Sequence, residues 1–436
     1  MWLYRCLFLC IFSYINLGDA MKKWIIKGHK LLSGTIKVDG AKNSLVAILP
    51  ASILTRSIIE LENITPIDDT YVIIDILKSL NVKVIYDNQS RMIIDSRNVR
   101  NNALISENMR KLRASYYFMG SLLGLFKKAQ VLGPGGCKFA SRPIDIHLDV
   151  FNQMGIDYNE ENGVYTLEKG NKRSKEIVLK RTSVGATINS ILATVRQRGT
   201  TRIHNVANEP EIDDLILFLN KCGANVIRSD NKIIIKGVNK LHACKHSIMK
   251  DRIEAGTYLI MGACVGKNLK IEYNESKHLS SLIDILKNSG VDIEISENYL
   301  MVSDVDKVND MNVICDSYPE LATDLQQPLS ILFTRTNTCS VFEDKIYPSR
   351  YTQVNDLNKM GFKMKVNDEK LFVYHSDNIM GSEVDCKDLR GGASLLIAAL
   401  MGKGETVISN VHHIKRGYFD VLNKLRKIGA IAYEKD

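Results

Sequence analysis

The segment Gly133-Pro134-Gly135-Gly136-Cys137 surrounds one thiol with three glycines and a proline, and Lys138 and Arg142 follow it closely. Glycine lets the backbone take positive φ and approach a ligand, while proline stiffens one edge of the loop. Neighbouring cations lower a thiol's pKa and can hold an anion. Such a loop can carry a reactive thiol over a site. The same residues also make an ordinary Gly-Pro turn with an incidental cysteine, so the rest of the chain has to decide.

A second set of polar residues recurs at one kind of place. Lys42-Asn43, Arg113, Asp324 and Arg390 each stand where small residues open a helical pattern, as in Gly40-Ala41, Ala114-Ser115, Ala322-Thr323 and Gly391-Gly392. The N–H groups and positive dipole end of a helix favour anions there, and small residues admit a ligand. Each residue alone reads equally well as a cap or a solvated charge. Together, at equivalent places, they predict a cationic pocket holding one carboxylate. Arg350 in Tyr347-Pro-Ser-Arg-Tyr351 and Arg416 in Lys415-Arg-Gly-Tyr418 add guanidiniums suited to carboxylate or phosphate. His147, His412 and His413 lack metal-ligand spacing and receive no catalytic role.

The elements that must position these groups come from a repeat. A leucine-rich helix end runs into Asn81, Gly155, Gly223, Gly290, Gly361 and Gly429, so the spacings are 74, 68, 67, 71 and 68 residues. Asn or Gly there is the usual left-handed helix stop. Between these marks each unit reads helix–strand–helix–strand–strand, with alternating strands such as Lys232-Ile-Ile-Ile-Lys236. Six α+β units of this size predict two globular domains of three units each, with a cleft between them as the natural ligand site.

The length of 436 residues also points to two domains. A composition of 45% hydrophobic and 25% charged residues is that of a globular protein. The net charge of +9 suits anionic small substrates and nucleic acid alike, but no basic run is interleaved with aromatics. The nine cysteines form no CxxC pair, which argues against a zinc site or disulfide framework and for reduced thiols in the cytoplasm. Residues 1–20 are apolar, with one Arg5 ahead of the run and no clear cleavage site; Met21-Lys22-Lys23-Trp24 reads as a fresh start. The expectation is an early start codon or a dispensable extension. No later run of apolar residues is long enough to span a bilayer. Dinucleotide, P-loop and nucleophile-elbow motifs do not occur in their required contexts.

The chain resembles the enolpyruvyl transferases. The matching segments are Gly40-Ala-Lys-Asn43, Arg113-Ala-Ser115, Pro134-Gly-Gly-Cys137, Arg142-Pro-Ile-Asp-Ile-His147 and Ser183-Val-Gly-Ala-Thr187. Glu209-Pro-Glu-Ile212, Thr323-Asp324, Asp388-Leu-Arg390 and Arg416-Gly-Tyr418 follow in the expected order. The resemblance covers about residues 21–436. It implies an α+β, two-domain inverse α/β barrel, with one domain over 43–250 and the other formed by 21–42 plus 251–436.

The resemblance also implies chemistry. The 3-hydroxyl of UDP-N-acetylglucosamine would attack C2 of phosphoenolpyruvate, and the adduct would lose phosphate to leave an enol ether. Cys137 would donate a proton to C3 and can also attack covalently, and Asp324 would take the hydroxyl proton. Lys42, Arg142 and Arg416 would hold the phosphate, and Arg350 and Arg390 the carboxylate. Asn43 and Arg113 would position the substrates. The nucleotide would lie along Arg142, Pro143, Ile144, Asp145 and Ile146 and along Arg181, Thr182, Ser183 and Val184, with Ile346 near the sugar. No cofactor or metal, nucleic acid or membrane is implied, and the setting would be cytoplasmic.

Three segments depart from the family pattern: Pro348-Ser349-Arg350-Tyr351 for Glu-Asn-Arg-Phe, Lys415-Arg416 for Asp-Arg, and Leu325-Gln-Gln-Pro328 after Asp324. The main chemical groups survive. Shikimate 3-phosphate is the rival acceptor, but enzymes using it lack the Pro-Gly-Gly-Cys loop. A non-catalytic nucleotide-sugar-binding relative and an RNA-binding protein on similar repeats are the remaining alternatives. Retention of Lys42, Cys137, Asp324 and Arg390 speaks against the first, and only net charge supports the second.

Overall fold

A computed structural model of the chain describes residues 22–133, 144–170 and 175–435. Cys137, Arg142 and Pro143, together with the extension 1–20, lie outside the described residues.

Six helices carry the interior: α1 (Lys42–Ala51), α2 (Tyr117–Leu125), α3 (Val184–Thr194), α4 (Arg252–Val265), α5 (Thr323–Leu332) and α6 (Leu389–Met401). They are apolar nearly all round, as helices enclosed by other elements must be; every residue of α4 is buried. Each is followed by a strand, and the α3 unit shows the plan. Thr200–His204 comes next, then a helix over Pro210–Lys221 and the hairpin Val226–Ser229 with Lys232–Lys236. This is the helix–strand–helix–strand–strand order expected from the repeat. The six marked turn residues all have positive φ, from 62° at Asn81 to 100° at Gly429. At Gly361 a Cβ would also meet the Asn378 carbonyl oxygen at 2.5 Å.

The described strands form six sheets. In the α3 unit, Glu176–Val178 runs parallel to Thr200–His204, and the hairpin adds two antiparallel strands. Four other sheets repeat that order of one parallel and two antiparallel pairings. The remaining sheet has three strands, Lys128–Leu132, Val164–Lys169 and Ile156–Glu161, and a single parallel bridge from Leu104 to Val131 replaces the edge strand.

The chain divides into two compact units: Asp39–Asp251, and a second that runs to Val38 and resumes at Arg252. Each has its own apolar core. In the second unit, Lys23–Lys27 pairs antiparallel with both Glu405–Ser409 and Ile431–Lys435, so it completes the last repeat. Leu32–Lys37 lies parallel to Gly266–Glu272. In the unit Asp39–Asp251, Lys245–Ser247 returns to pair with Ile58–Glu62 and close its first sheet.

The breaks fall at Val38 and Asp251 rather than at residues 42 and 250. The reason is local pairing. Ala41 N–H donates to the Met249 carbonyl at 2.7 Å, Lys42 N–H to the Asp251 carboxylate at 3.1 Å, and Asp251 N–H to the Asp39 carbonyl at 2.9 Å. Lys42 therefore belongs with Asp39–Asp251.

Candidate active site

In the unit that resumes at Arg252, three of the expected residues meet. Asp324 stands in the first turn of α5, Arg390 in the first turn of α6, and Arg350 on the loop after the strand Cys339–Asp344. Arg350 Nη1 donates to Asp324 Oδ1 at 2.7 Å, and Arg390 Nη2 donates to Asp324 Oδ2 at 3.1 Å. Burial pushes the Asp324 carboxyl up, but the guanidiniums of Arg390 and Arg350 outweigh it and hold it well below the usual carboxylate range. Burial likewise opposes the charge on Arg350, and Asp324 restores it, so its pKa ends raised.

Each arm of this triad has its own support. The buried Asp344 carboxylate accepts from Ile346 N–H and Tyr347 N–H, both at 2.9 Å, and from the Thr323 hydroxyl. It thus ties the Arg350 loop to the start of α5. Asp388 caps α6, accepting from Arg390 N–H at 3.0 Å and Gly391 N–H at 3.1 Å, and its other oxygen accepts from Thr352. Arg390 Nη1 donates to the Tyr418 hydroxyl at 3.0 Å, and that hydroxyl lies 2.8 Å from Thr257 Oγ1. Thr257 gives its own proton to the Ile253 carbonyl, so Tyr418 donates to Thr257 and accepts from Arg390. The chain of bonds runs from α4 to the guanidinium on α6.

Two other expected residues of this unit are Ile346 and Arg416. Ile346 is exposed. Arg416 is half-buried just after the short helix His412–Lys415. Burial, His412 and then Arg416 lower the pKa of His413.

In the unit Asp39–Asp251, Lys42 starts α1 and its Nζ lies 2.7 Å from Asp69 Oδ2, which is almost fully buried. Asn43 is half-buried beside it. Arg113 lies over the Tyr116 ring at 5.9 Å. Ser183 caps α3, its oxygen accepting from Ala186 N–H at 3.3 Å, and Val184 begins that helix. Thr182 donates to Asn205 at 3.2 Å. Arg181 Nη2 is 3.4 Å from Asp145 Oδ1, an exposed pair at the start of the helix Asp145–Gln153. Ile144 and Ile146 are buried on either side of Asp145.

His147 is a packed residue. Its Nδ1 accepts from Asn189 Nδ2 at 3.0 Å, its ring is 4.5 Å from that of Tyr116, and burial with the Arg113 charge pushes its pKa down to about 3.

One expectation is corrected. At Gly392, and at Gly185 and Gly256 near the starts of α3 and α4, the missing Cβ makes room for the protein's own side chains rather than for a ligand. A Cβ on Gly185 would meet His147 Cε1 at 2.6 Å, one on Gly256 would meet Leu325 at 2.9 Å, and one on Gly392 would meet Cys386 Sγ at 2.5 Å. Asp69, Asp251, Asp344 and Thr352 are further partners that the sequence pattern does not single out. Their only signal was a short polar residue at a helix or strand end, which many solvated residues share. Among the described residues, Cys222, Cys244, Cys264, Cys315, Cys339 and Cys386 are free thiols. No helix among the described residues is long and apolar enough to cross a membrane.

The chain is similar to known proteins over nearly its whole length. UDP-N-acetylglucosamine 1-carboxyvinyltransferase 2 of Listeria monocytogenes is 44% identical over 407 residues, 93% of this chain and 96% of that protein. The protein of the same name from Bacillus cereus is 39% identical over 411 residues, with 94% and 96% covered. The crystal structure of the enolpyruvyl transferase NikO from Streptomyces tendae superposes with a TM-score of 0.87 over 95% of this chain and 99% of that one. At 23% identity that likeness speaks for the fold alone. The family model for EPSP synthase (3-phosphoshikimate 1-carboxyvinyltransferase) matches residues 26–425. Residues 26–425 span nearly the whole described chain, and the α+β architecture of two three-sheet units is the one these proteins have: the chain belongs to the EPSP synthase family of enolpyruvyl transferases.

Proposed function

We propose that the chain transfers the enolpyruvyl group of phosphoenolpyruvate to the 3-hydroxyl of UDP-N-acetylglucosamine with release of phosphate, the first committed step of peptidoglycan synthesis. The observation that carries the reading is identity of 38–44% with relatives bearing that activity's name, along about 94% of the chain. The reaction is cytoplasmic and uses two soluble small molecules, without cofactor, nucleic acid or membrane.

The assignment of residues follows the chemistry of each group. Arg350 and Arg390 are the carboxylate ligands, a role suited to two guanidiniums that already share one carboxylate. Lys42, Arg142 and Arg416 hold the phosphate and offset charge that builds up as it leaves. Asn43 and Arg113 position the substrates. Residues 142–146 and 181–184 line the nucleotide, and Ile346 lies near the sugar. Asp324 takes the hydroxyl proton while the oxygen bonds to C2, and the double-bond electrons accept a proton at C3 from the Cys137 thiol. The Cys137 thiolate then takes a proton back from C3 as the C2–O bond to phosphate breaks, and the C–H electrons restore the double bond.

Phosphate release tests the reading. The purified protein should liberate phosphate from phosphoenolpyruvate when UDP-N-acetylglucosamine is present and not when it is absent. Folded protein that releases none would sink the proposal. Shikimate 3-phosphate is the control acceptor, because the matching family model carries that enzyme's name. Release with it instead would transfer the assignment to the 3-phosphoshikimate reaction.

A further inference from the structure

Two guanidiniums from separate parts of one unit converge on a carboxylate that belongs to the protein. Arg350 takes one oxygen of Asp324 and Arg390 takes the other, so the carboxylate bridges two cations and chelates neither. The arginine side chains are only 12% and 5% exposed, while Asp324 keeps 25% of its own exposed. The acid therefore sits on the open side of the pair. Of the other acids nearby, Asp344 is held by the Ile346 and Tyr347 N–H groups and the Thr323 hydroxyl, and Asp388 has one oxygen on two backbone N–H groups and the other on Thr352. Asp388 is thus committed to the helix cap. Tyr418 accepts a different guanidinium proton, from Arg390 Nη1.

A carboxylate bridging Arg350 and Arg390 is also what phosphoenolpyruvate would present, if those arginines take the role given them under Proposed function. We propose that Asp324 and the substrate carboxylate compete for one bridging position between Arg350 and Arg390, and that losing this competition is what makes Asp324 a base.

The chemistry requires some such step. A carboxylate shared by two guanidiniums has its proton affinity suppressed, and general-base efficiency falls as the pKa drops away from the working pH. A second carboxylate that takes over the cations removes the stabilising charges and adds a like charge beside Asp324. Both changes raise its proton affinity. The hydroxyl proton can then pass to Asp324 as the sugar oxygen bonds to C2. Deprotonation is in this way tied to the arrival of phosphoenolpyruvate, and the nucleotide sugar alone is left intact.

The test compares binding of two probes at saturating UDP-N-acetylglucosamine, by calorimetry. Phospholactate keeps the carboxylate and phosphate of phosphoenolpyruvate but has no double bond to attack; inorganic phosphate lacks the carboxylate. Asp324→Asn removes the competing anion and keeps the shape. It should bind phospholactate about tenfold more tightly than the unsubstituted enzyme, with phosphate affinity changed by less than about twofold. Asp324→Glu, which keeps the charge, should not tighten binding. Unchanged or weaker phospholactate binding by Asp324→Asn would overturn the competition. So would equal tightening for both probes, since that is a general charge effect. If Asp324→Asn does not fold, carbon-13 aspartate labelling of the unsubstituted enzyme decides: the Asp324 carboxyl resonance moves on adding phospholactate, and a stationary resonance rules displacement out. An unsubstituted enzyme that neither binds phospholactate nor releases phosphate fails the functional reading itself. One that turns over normally while Asp324→Asn shows no tightening fails only the competition.

Discussion

Arg350 Nη1 lies 2.7 Å from Asp324 Oδ1, joining a loop to the first turn of a helix 26 residues earlier. The pair is held from both ends, because Asp344 anchors the loop while Arg390 draws on the second carboxylate oxygen. Asp324 therefore keeps one guanidinium if the other is removed.

Arg350→Ala should therefore act on chemistry more than on fold. Removal of one guanidinium leaves Asp324 with Arg390 alone and takes away half of the proposed carboxylate clamp. Initial-rate measurements should show kcat/KM for phosphoenolpyruvate lower by about 10²- to 10³-fold, with KM for the nucleotide sugar changed little. Retention of more than about a third of the wild-type kcat/KM would argue against the role. Arg350→Lys should recover only part of the loss, since an ammonium cannot make the planar contact.

Lys42 and Asp69 form an ion pair 2.7 Å long in which the acid is 2% exposed. Lys42→Ala takes a cation away from a buried carboxylate and should cost on the order of 1–3 kcal/mol, because the lysine itself retains some solvent. Adding Asp69→Asn should return part of that stability while activity stays low. Denaturant titrations of the single and double variants check this; a double variant less stable than Lys42→Ala alone would contradict it.

Glu434 gives a pH-dependent prediction. Burial raises its pKa, but Lys22, Lys415 and Trp24 together outweigh that and lower it from 4.5 to about 2. Its carboxylate lies 2.9 Å from Lys22, 3.0 Å from Lys415 and 3.1 Å from Trp24 Nε1. A depressed folded-state pKa means the stabilisation is full above about 4.5 and is lost as pH falls toward 2. Glu434→Gln should thus be less stable than wild type by about 1–2 kcal/mol at pH 7, allowing for partial exposure. The gap should close in acid. A difference that persists undiminished at pH 2 would exclude this linkage.

Cys137→Ala should nearly abolish phosphate release yet leave UDP-N-acetylglucosamine binding intact, since the thiol is assigned to the reacting carbon and not to the nucleotide. An epoxide should inactivate the wild type and label Cys137, seen as a single modified peptide in mass spectrometry. Label on Cys339 or Cys244, both half-buried, would point to a different reactive thiol.

The repeat was legible because helix stops obey local rules. Asn81, Gly155, Gly223, Gly290, Gly361 and Gly429 take positive φ at helix ends, so their spacing marks six units without reference to any long-range contact. Asp324 and Arg390 were likewise identifiable as first-turn residues of two helices. Gly392 beside Arg390 is ambiguous in sequence, since glycine serves close packing and ligand approach through the same missing Cβ.

Sequence by itself determined the unit of construction, the positions of its helix starts and the types of group displayed there, all of which depend on neighbours within a few residues. Tertiary structure alone decided which of those groups meet. That Lys23–Lys27 completes the sheet of Ile431–Lys435, that Lys42 rests on Asp69, and that Arg350 and Arg390 divide one carboxylate are long-range pairings. Coulomb energy and hydrogen-bond geometry depend on distances of a few ångströms between residues far apart in the chain, and only packing of the whole unit sets those distances.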